Sequence, residues 1–218
     1  MSDRCMCFNL MPARPPELWN KPVLETEHFI VLPSLGALVP GWVLVIPKQH
    51  YLCIGALPQS LFPEFQRVKK ETVNLIASQF GEPCLFEHGP SSAGLKVGCS
   101  VDHAHLHVVP FSGDLAELAA SFMPDGARWR PADVQACINA FSAGENYLYF
   151  EQPLGAGFIS VHPAFGSQVF RKAIALQLGK PHEFDWREYP NHSAIQATVQ
   201  TLASRSHMEM QVGVNNGL

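Results

Sequence analysis

Charge is scarce in this chain. Asp, Glu, Lys and Arg make up 16% of its 218 residues, against roughly a quarter in an average soluble protein. Hydrophobic residues reach 47%. The low-hydrophobicity, high-charge signature of disorder is therefore missing, and a packed core is expected. A basic excess is missing too: 15 Lys and Arg face 19 Asp and Glu, for a formal charge of −4. No global footprint for nucleic acid follows, and DNA is not expected as a partner. Long apolar runs are also lacking. The longest, Gly36 to Pro47, is broken by Pro40 and falls far short of the ~20 residues of a membrane span. Met1-Ser2-Asp3-Arg4-Cys5 has no apolar signal core, so a cytoplasmic protein without a membrane partner is expected. The six cysteines would pair neatly in a small secreted domain, but in a long chain without a signal core they read as reduced thiols rather than as a disulfide framework.

What is present is patterned. Eighteen prolines exceed the usual ~5% and point to turns and loops rather than to a helical bundle. His28–Pro33 reads as a strand ended by proline, and Trp42–Pro47 as a buried, β-branched strand. Val39-Pro40-Gly41 is a turn between them. Leu57 to Phe80 carries Leu61, Phe65, Val68, Val73 and Ile76 at roughly helical spacing. Cys84–His88 and Val101–Val109 read as two more strands, separated by the flexible loop Gly89–Gly94. Beyond Phe111-Ser112-Gly113 the character changes. Helices are expected over 114–122, 131–141, 167–178 and 193–206, with a second hairpin over 147–151 and 157–161. The natural boundary lies near 112, giving an expected first domain over 1–112 and an α+β extension over 113–218.

The informative segment is Asp102-His103-Ala104-His105-Leu106-His107-Val108-Val109-Pro110. Side chains on a strand alternate faces with period two. A strand here would place His103, His105 and His107 on one face and Ala104, Leu106 and Val108 on the other, which suits a core. Three readings follow. The histidines could be a chance feature of a surface strand. They could ligate a metal, since imidazole is a common ligand; but the glutamate that follows the His-x-His of cupins is absent, and so is an Asp before the last His. The third reading is nucleophilic catalysis. A neutral imidazole can attack phosphorus and split one hard step into two, provided neighbours fix its tautomer and stabilise the oxygens.

His103-Ala104-His105-Leu106-His107-Val108-Val109 resembles the histidine triad (HIT) pattern, His-φ-His-φ-His-φ-φ, with φ hydrophobic. Upstream, Pro40-Gly41-Trp42-Val43-Leu44-Val45-Ile46-Pro47-Lys48-Gln49-His50 is similar to the family's Pro-Gly-His-x-Leu-x-Ile-Pro-x-x-His segment. Trp42 stands where histidine or a similar residue is usual. The resemblance covers about residues 5–112, and the general look is that of the CwfJ-like branch and of large bacterial HIT proteins. It implies an α+β fold with a five-stranded antiparallel sheet and a long helix, extended here by an α+β C-terminal part.

By the same resemblance His105 is the nucleophile, attacking the α-phosphorus of a nucleotide conjugate. The substrate would be a phosphoramidate or a phosphoanhydride, and a nucleoside monophosphate would be released. His107 would contact phosphate oxygens and His103 would orient its neighbours. A histidine at the third triad position resembles the hydrolase branches rather than the uridylyltransferase branch. Gly98-Cys99-Ser100 occupies the place of the amides and hydroxyl near phosphate and leaving group, with Ser100 either catalytic or an ordinary loop serine. His50 would lie near the phosphate. Alternatively it would join Cys5, Cys7 and His103 around a structural zinc, although Cys5-Met6-Cys7 departs from the usual Cys-x-x-Cys. No cofactor is expected for the chemistry itself. Phe29, Val31 and Leu44 are core residues or base-pocket residues. Arg171, at the start of a helix, would hold an anionic group or sit on a solvated basic face. His88 reads as a polar cap at a strand end, and Trp186 as a packing anchor. A homodimer would be in keeping with the family, unless the extension takes up the pairing surface. The rival functions are nucleotidyl transfer to an acceptor such as phosphate, and a non-catalytic module bound to RNA machinery.

Overall fold

A computed structural model of the chain describes residues 18–98, 101–153 and 155–215. Its elements run β1 (Leu24–Glu25), β2 (Phe29–Pro33), β3 (Val43–Pro47), α1 (Phe62–Phe80), β4 (Pro83–Gly89), β5 (Leu106–Pro110), α2 (Leu115–Ala120), β6 (Arg130–Pro131), α3 (Gln135–Ser142), β7 (Tyr147–Glu151), β8 (Gly157–Val161), α4 (Val169–Gln177) and α5 (His192–Asn215). The class is α+β, as the pattern implied. The strands form one antiparallel sheet in the order β1-β2-β3-β5-β4-β7-β8-β6.

The sheet has eight strands rather than five. Five strands, β1, β2, β3, β5 and β4, stand at one end, where the two-residue β1 joins the four read from the sequence; the hairpin of β7 and β8, with β6, continues the same sheet beyond β4. The join is the β4–β7 ladder, which pairs Leu85 with Glu151, Phe86 with Phe150 and His88 with Leu148. An unpaired strand edge presents a row of N–H and C=O groups that demand partners. Here β4 has one partner on each side, β5 and β7. The edges left over are the two-residue strands β1 and β6.

The strands read as continuous apolar runs because both faces of the sheet are covered. Phe29, Val31, Val43, Val45, Leu85, Leu106 and Val108 point to one face and pack with Phe65, Val68 and Ile76 of α1 and Cys137 of α3. Cys84, Phe86, Val109, Leu148 and Phe150 point to the other and pack with Leu115 of α2 and with Val169, Phe170 and Ile174 of α4. Each such side chain, fully withdrawn from water, stabilises the fold by about 1.5–3 kcal/mol before the entropy of ordering it is subtracted. The second layer is therefore supplied by the C-terminal half of the chain.

The turn between β2 and β3 is held from that same half. Gly36 has φ +72 and Gly41 φ +86, a region that side chains rarely adopt. Gly36 donates its N–H to the carbonyl of Pro190, and Gly41 donates to the Thr198 hydroxyl of α5 at 2.8 Å. A Cβ on Gly36 would lie 2.5 Å from the Trp186 Cβ, so Trp186 does anchor packing, against this turn.

Candidate active site

The triad is carried by β5 and by the segment just before it. The ladder between β3 and β5 begins at Leu106, paired with Val45, and continues through His107, paired with Leu44. The strand expected over Val101–Val109 is thus shorter, and of the three histidines His107 alone lies in it. The cause is local. The Ala104 amide donates to the Tyr51 carbonyl at 2.7 Å, and His103 Nε2 donates to the Pro47 carbonyl at 2.8 Å. These bonds tie residues 103–104 to the chain leaving β3, so regular pairing cannot extend upstream. The face alternation survives even so: Ala104, Leu106 and Val108 all enter the core under α1.

Hydrogen bonds assign the protons. His105 Nδ1 lies 2.7 Å from the carbonyl oxygen of His103. A carbonyl can only accept, so Nδ1 carries the hydrogen and the neutral ring keeps its lone pair on Nε2. His107 is fixed the opposite way. Trp42 donates its indole N–H to His107 Nδ1 at 2.9 Å, which leaves the hydrogen of the neutral ring on Nε2. That Nε2 is buried and has no hydrogen-bond partner among the described residues. The His105 and His107 rings lie edge to face with centroids 4.9 Å apart. Phe86 stacks under His107 at 4.3 Å.

Burial dominates the electrostatics. Desolvation lowers His103 to about 4 and His88 to about 3, and it lowers His105 and His107 as well. The positive charge of Arg171 pushes His88, His105 and His107 further in the same direction. All four imidazoles are neutral near pH 7, as an attacking lone pair requires.

Arg171 is neither on a solvated face nor open to solvent: it is 2% exposed. Its Nε donates to the carbonyl of Phe184 at 2.8 Å, its Nη2 donates to that of Gly36, and its guanidinium lies 4.8 Å over the Trp42 ring. His88 is not a surface cap either. It is buried on the His107 face of β4, with ring centroids 6.5 Å apart, and its Nε2 accepts the Phe170 amide of α4 at 3.4 Å. Phe29 and Val31 lie on the opposite, α1 face, where their role is packing. Leu44 is on the His107 side, in a small cluster with Ile30, Leu32 and Ile46.

His50 is exposed, and its ring meets that of His103 edge to face at 5.3 Å. Gly98 closes a 3-10 turn, Lys96–Gly98. Cys99, Ser100, Cys5 and Cys7 lie outside the described residues. Among the described residues no group of three or more His, Cys, Asp or Glu side chains is arranged to hold a metal ion. His50 and His103 amount to two of the four ligands a structural zinc needs. No helix among the described residues is long and apolar enough to cross a membrane.

Sequence reasoning missed three contributors. Trp42 was visible as a departure from its motif, and that departure was the available signal. His88 could have been placed beside His107 from the alternation of β4, once β4 and β5 were known to be neighbours. Asp102, buried, accepts the Gly94 amide at 3.1 Å and ties the Gly89–Gly98 loop to the triad segment; a lone Asp before a histidine carried no signal.

Comparison with known proteins adds a family likeness. The HIT domain family matches residues 16–113. The chain is 26% identical over 113 residues to the Protein hit of Bacillus subtilis, which is 52% of this chain and 77% of that protein. It is 27% identical over 99 residues to an uncharacterized HIT-like protein of Methanocaldococcus jannaschii, 45% of this chain and 74% of the relative. Among solved structures, a HIT family protein from Bacillus anthracis is similar at 26% identity and TM-score 0.42, over 52% of this chain and 77% of that one. A zinc-bound histidine triad family protein from Mycobacterium smegmatis is similar at 22% identity and TM-score 0.39, over 64% of this chain and 90% of that one. The match to the HIT domain family thus lies over residues 16–113, and His103, His105 and His107 fall within it.

Proposed function

We propose that the protein hydrolyses a nucleotide conjugate at its α-phosphate through a covalent nucleotidyl-histidine on His105. One observation carries the reading: the Nδ1–H of His105 is engaged by the His103 carbonyl at 2.7 Å, which directs the lone pair of Nε2 outward from that bond. In the first step Nε2 forms a bond to phosphorus, and the bond from phosphorus to the leaving group breaks with its electron pair going to that group. In the second, water attacks phosphorus, the P–N bond breaks with its electron pair returning to Nε2, and a nucleoside monophosphate leaves with the neutral ring restored, the proton lost by the water matching the one taken up from solvent by the leaving group. The Nε2–H of His107, whose ring lies 4.9 Å from that of His105 between centroids, is the donor assigned to the developing charge on the phosphoryl oxygens. Leu44, beside His107, is the apolar candidate to meet the nucleoside. Both phosphoramidates and phosphoanhydrides fit this chemistry, so the leaving group is the property to test first.

The test is a screen of adenylyl and guanylyl conjugates, amine-linked and polyphosphate-linked, with wild type and His105→Ala. Release of nucleoside monophosphate by the wild type and a loss of at least about a thousandfold in the variant are expected. Full activity of His105→Ala on every conjugate that the wild type cleaves refutes the proposal. Reaction in phosphate buffer separates the rival: a nucleoside diphosphate product marks transfer to phosphate instead of water.

A further inference from the structure

One route by which the C-terminal half reaches the triad runs through Trp42. Three observations converge there. The indole N–H of Trp42 points at His107 Nδ1, at 2.9 Å. The Trp42 ring is flanked: Phe86 is T-shaped to it with centroids 5.8 Å apart, and the Arg171 guanidinium lies over it at 4.8 Å. Arg171 is itself immobilised, since it donates to the carbonyls of Gly36 and Phe184. Trp42 is 0% exposed and cannot swing away without opening both the turn and the α4 layer.

We propose that Trp42, clamped by Arg171, is a positioning residue that fixes His107 in the Nε2–H tautomer, so that its free N–H is aimed into the site. The chemistry needs this because a neutral imidazole has two tautomers of similar energy, and only one of them offers a donor on the Nε2 side. A donor at Nδ1, supplied by a rigid indole, selects the tautomer whose Nδ1 is an acceptor. Indole is suited to the task because it donates and never accepts. A histidine in the same place would be ambiguous, since its own ring nitrogens can donate or accept. The cation over the indole face adds a preference of its own. It is attracted by the ring quadrupole, which fixes the ring plane, and it polarises the N–H toward His107. The residues after the triad domain thus enter the site without touching substrate: they hold the residue that holds the proton on His107. The bearing on rate rests on the hydrolase reading above; the tautomer itself does not.

The experiment records long-range 1H–15N correlations of the full chain labelled at histidine, with the His107 signals identified by their disappearance in His107→Asn. In the wild type at neutral pH, His107 is expected as a single Nε2–H tautomer. In Trp42→Phe, which keeps the ring stack and removes the N–H, both tautomers are expected, and kcat/KM is expected to fall by at least about tenfold. Arg171→Met is expected to move the tautomer ratio in the same direction, by less. A wild-type His107 that carries its hydrogen on Nδ1 overturns the proposal, whatever the variants do. So does a folded Trp42→Phe with an unchanged His107 pattern. Should Trp42→Phe fail to fold, the wild-type tautomer decides the role of Trp42, and an unchanged pattern in Arg171→Met overturns the clamp. A wild type that cleaves no nucleotide conjugate counts against the hydrolase reading alone, because the tautomer is read without substrate.

Discussion

Replacing Glu87 by Gln is expected to remove a pH-dependent loss of stability. Glu87 lies in β4 on the α1 face of the sheet, 2% exposed. One carboxylate oxygen accepts the Ile54 amide and the other accepts the Tyr147 hydroxyl, both at 2.5 Å. Tyr147 belongs to β7, so this carboxylate ties the C-terminal strands to the 3-10 turn after β3. The two hydrogen bonds favour the charged form, but the cost of desolvation is larger and raises the carboxyl from 4.5 to about 7. Below about pH 4.5 the group is protonated in folded and unfolded chains alike, and its stabilisation is complete. Between about 4.5 and 7 the unfolded chain ionises while the folded protein holds its proton, so stability falls as pH rises. Above about 7 both forms are ionised and the loss is constant. The interval from 4.5 to about 7, at about 1.4 kcal/mol per pH unit, sets an upper limit of roughly 3.5 kcal/mol across that window. The Gln amide preserves the shape and one acceptor, and it has no proton to lose. Urea unfolding from pH 4.5 to 8 measures the difference between variant and wild type at each pH, which cancels the histidines common to both. The variant is expected to gain on the wild type by about 3 kcal/mol over the window. A difference that stays flat with pH refutes the reasoning, since Glu87 would then be ionised in the fold throughout.

The opposite slope is expected from His88, whose buried ring stays neutral down to about 3. Its stabilisation is complete above the unfolded value near 6.5 and is lost as pH falls below it. Relative to wild type, His88→Leu should therefore gain about 2 kcal/mol between pH 7 and pH 5, and an equal pH response of the two proteins in urea unfolding argues against a neutral, buried ring. Gly36→Ala should destabilise by about 2–4 kcal/mol, because φ is +72 and the new Cβ would lie 2.5 Å from the Trp186 Cβ and 2.8 Å from Arg171 Nη2. Thermal unfolding checks this, and a loss below about 1 kcal/mol would mean that the turn relaxes without the clamp.

Much of the site was legible because its signal is local. Alternation of His and apolar residues places three imidazoles opposite a core, and the core assignment of Ala104, Leu106 and Val108 followed from the same period of two. The hairpin of β2 and β3 and the long helix α1 were legible for a similar reason: proline, glycine and periodic apolar residues mark them within short windows. Strand pairing is different. Nothing in Tyr147–Glu151 announces that its partner is Pro83–Gly89, because register is set by packing across some sixty residues of intervening chain. The five-strand expectation stopped where the familiar pattern stopped.

Single residues divide along the same line. The residue type at 42 was plain from the sequence, as was the departure it makes from the motif; that its N–H ends on His107 was not. Arg171 illustrates the point further. In sequence it is a basic residue in a helix start, equally suited to an anion or to solvent. In the fold it is buried, donates to two backbone carbonyls, and lies over an indole from the other half of the chain. The sequence by itself determined the class of the chain, the triad and the face on which it lies, because backbone geometry repeats over two to four residues. The tertiary structure decided which way His103 and His107 hold their protons, since the Pro47 carbonyl and the Trp42 indole come from more than fifty residues away, with a cation from position 171 behind the indole; the proton of His105 is set locally, by a carbonyl two residues back.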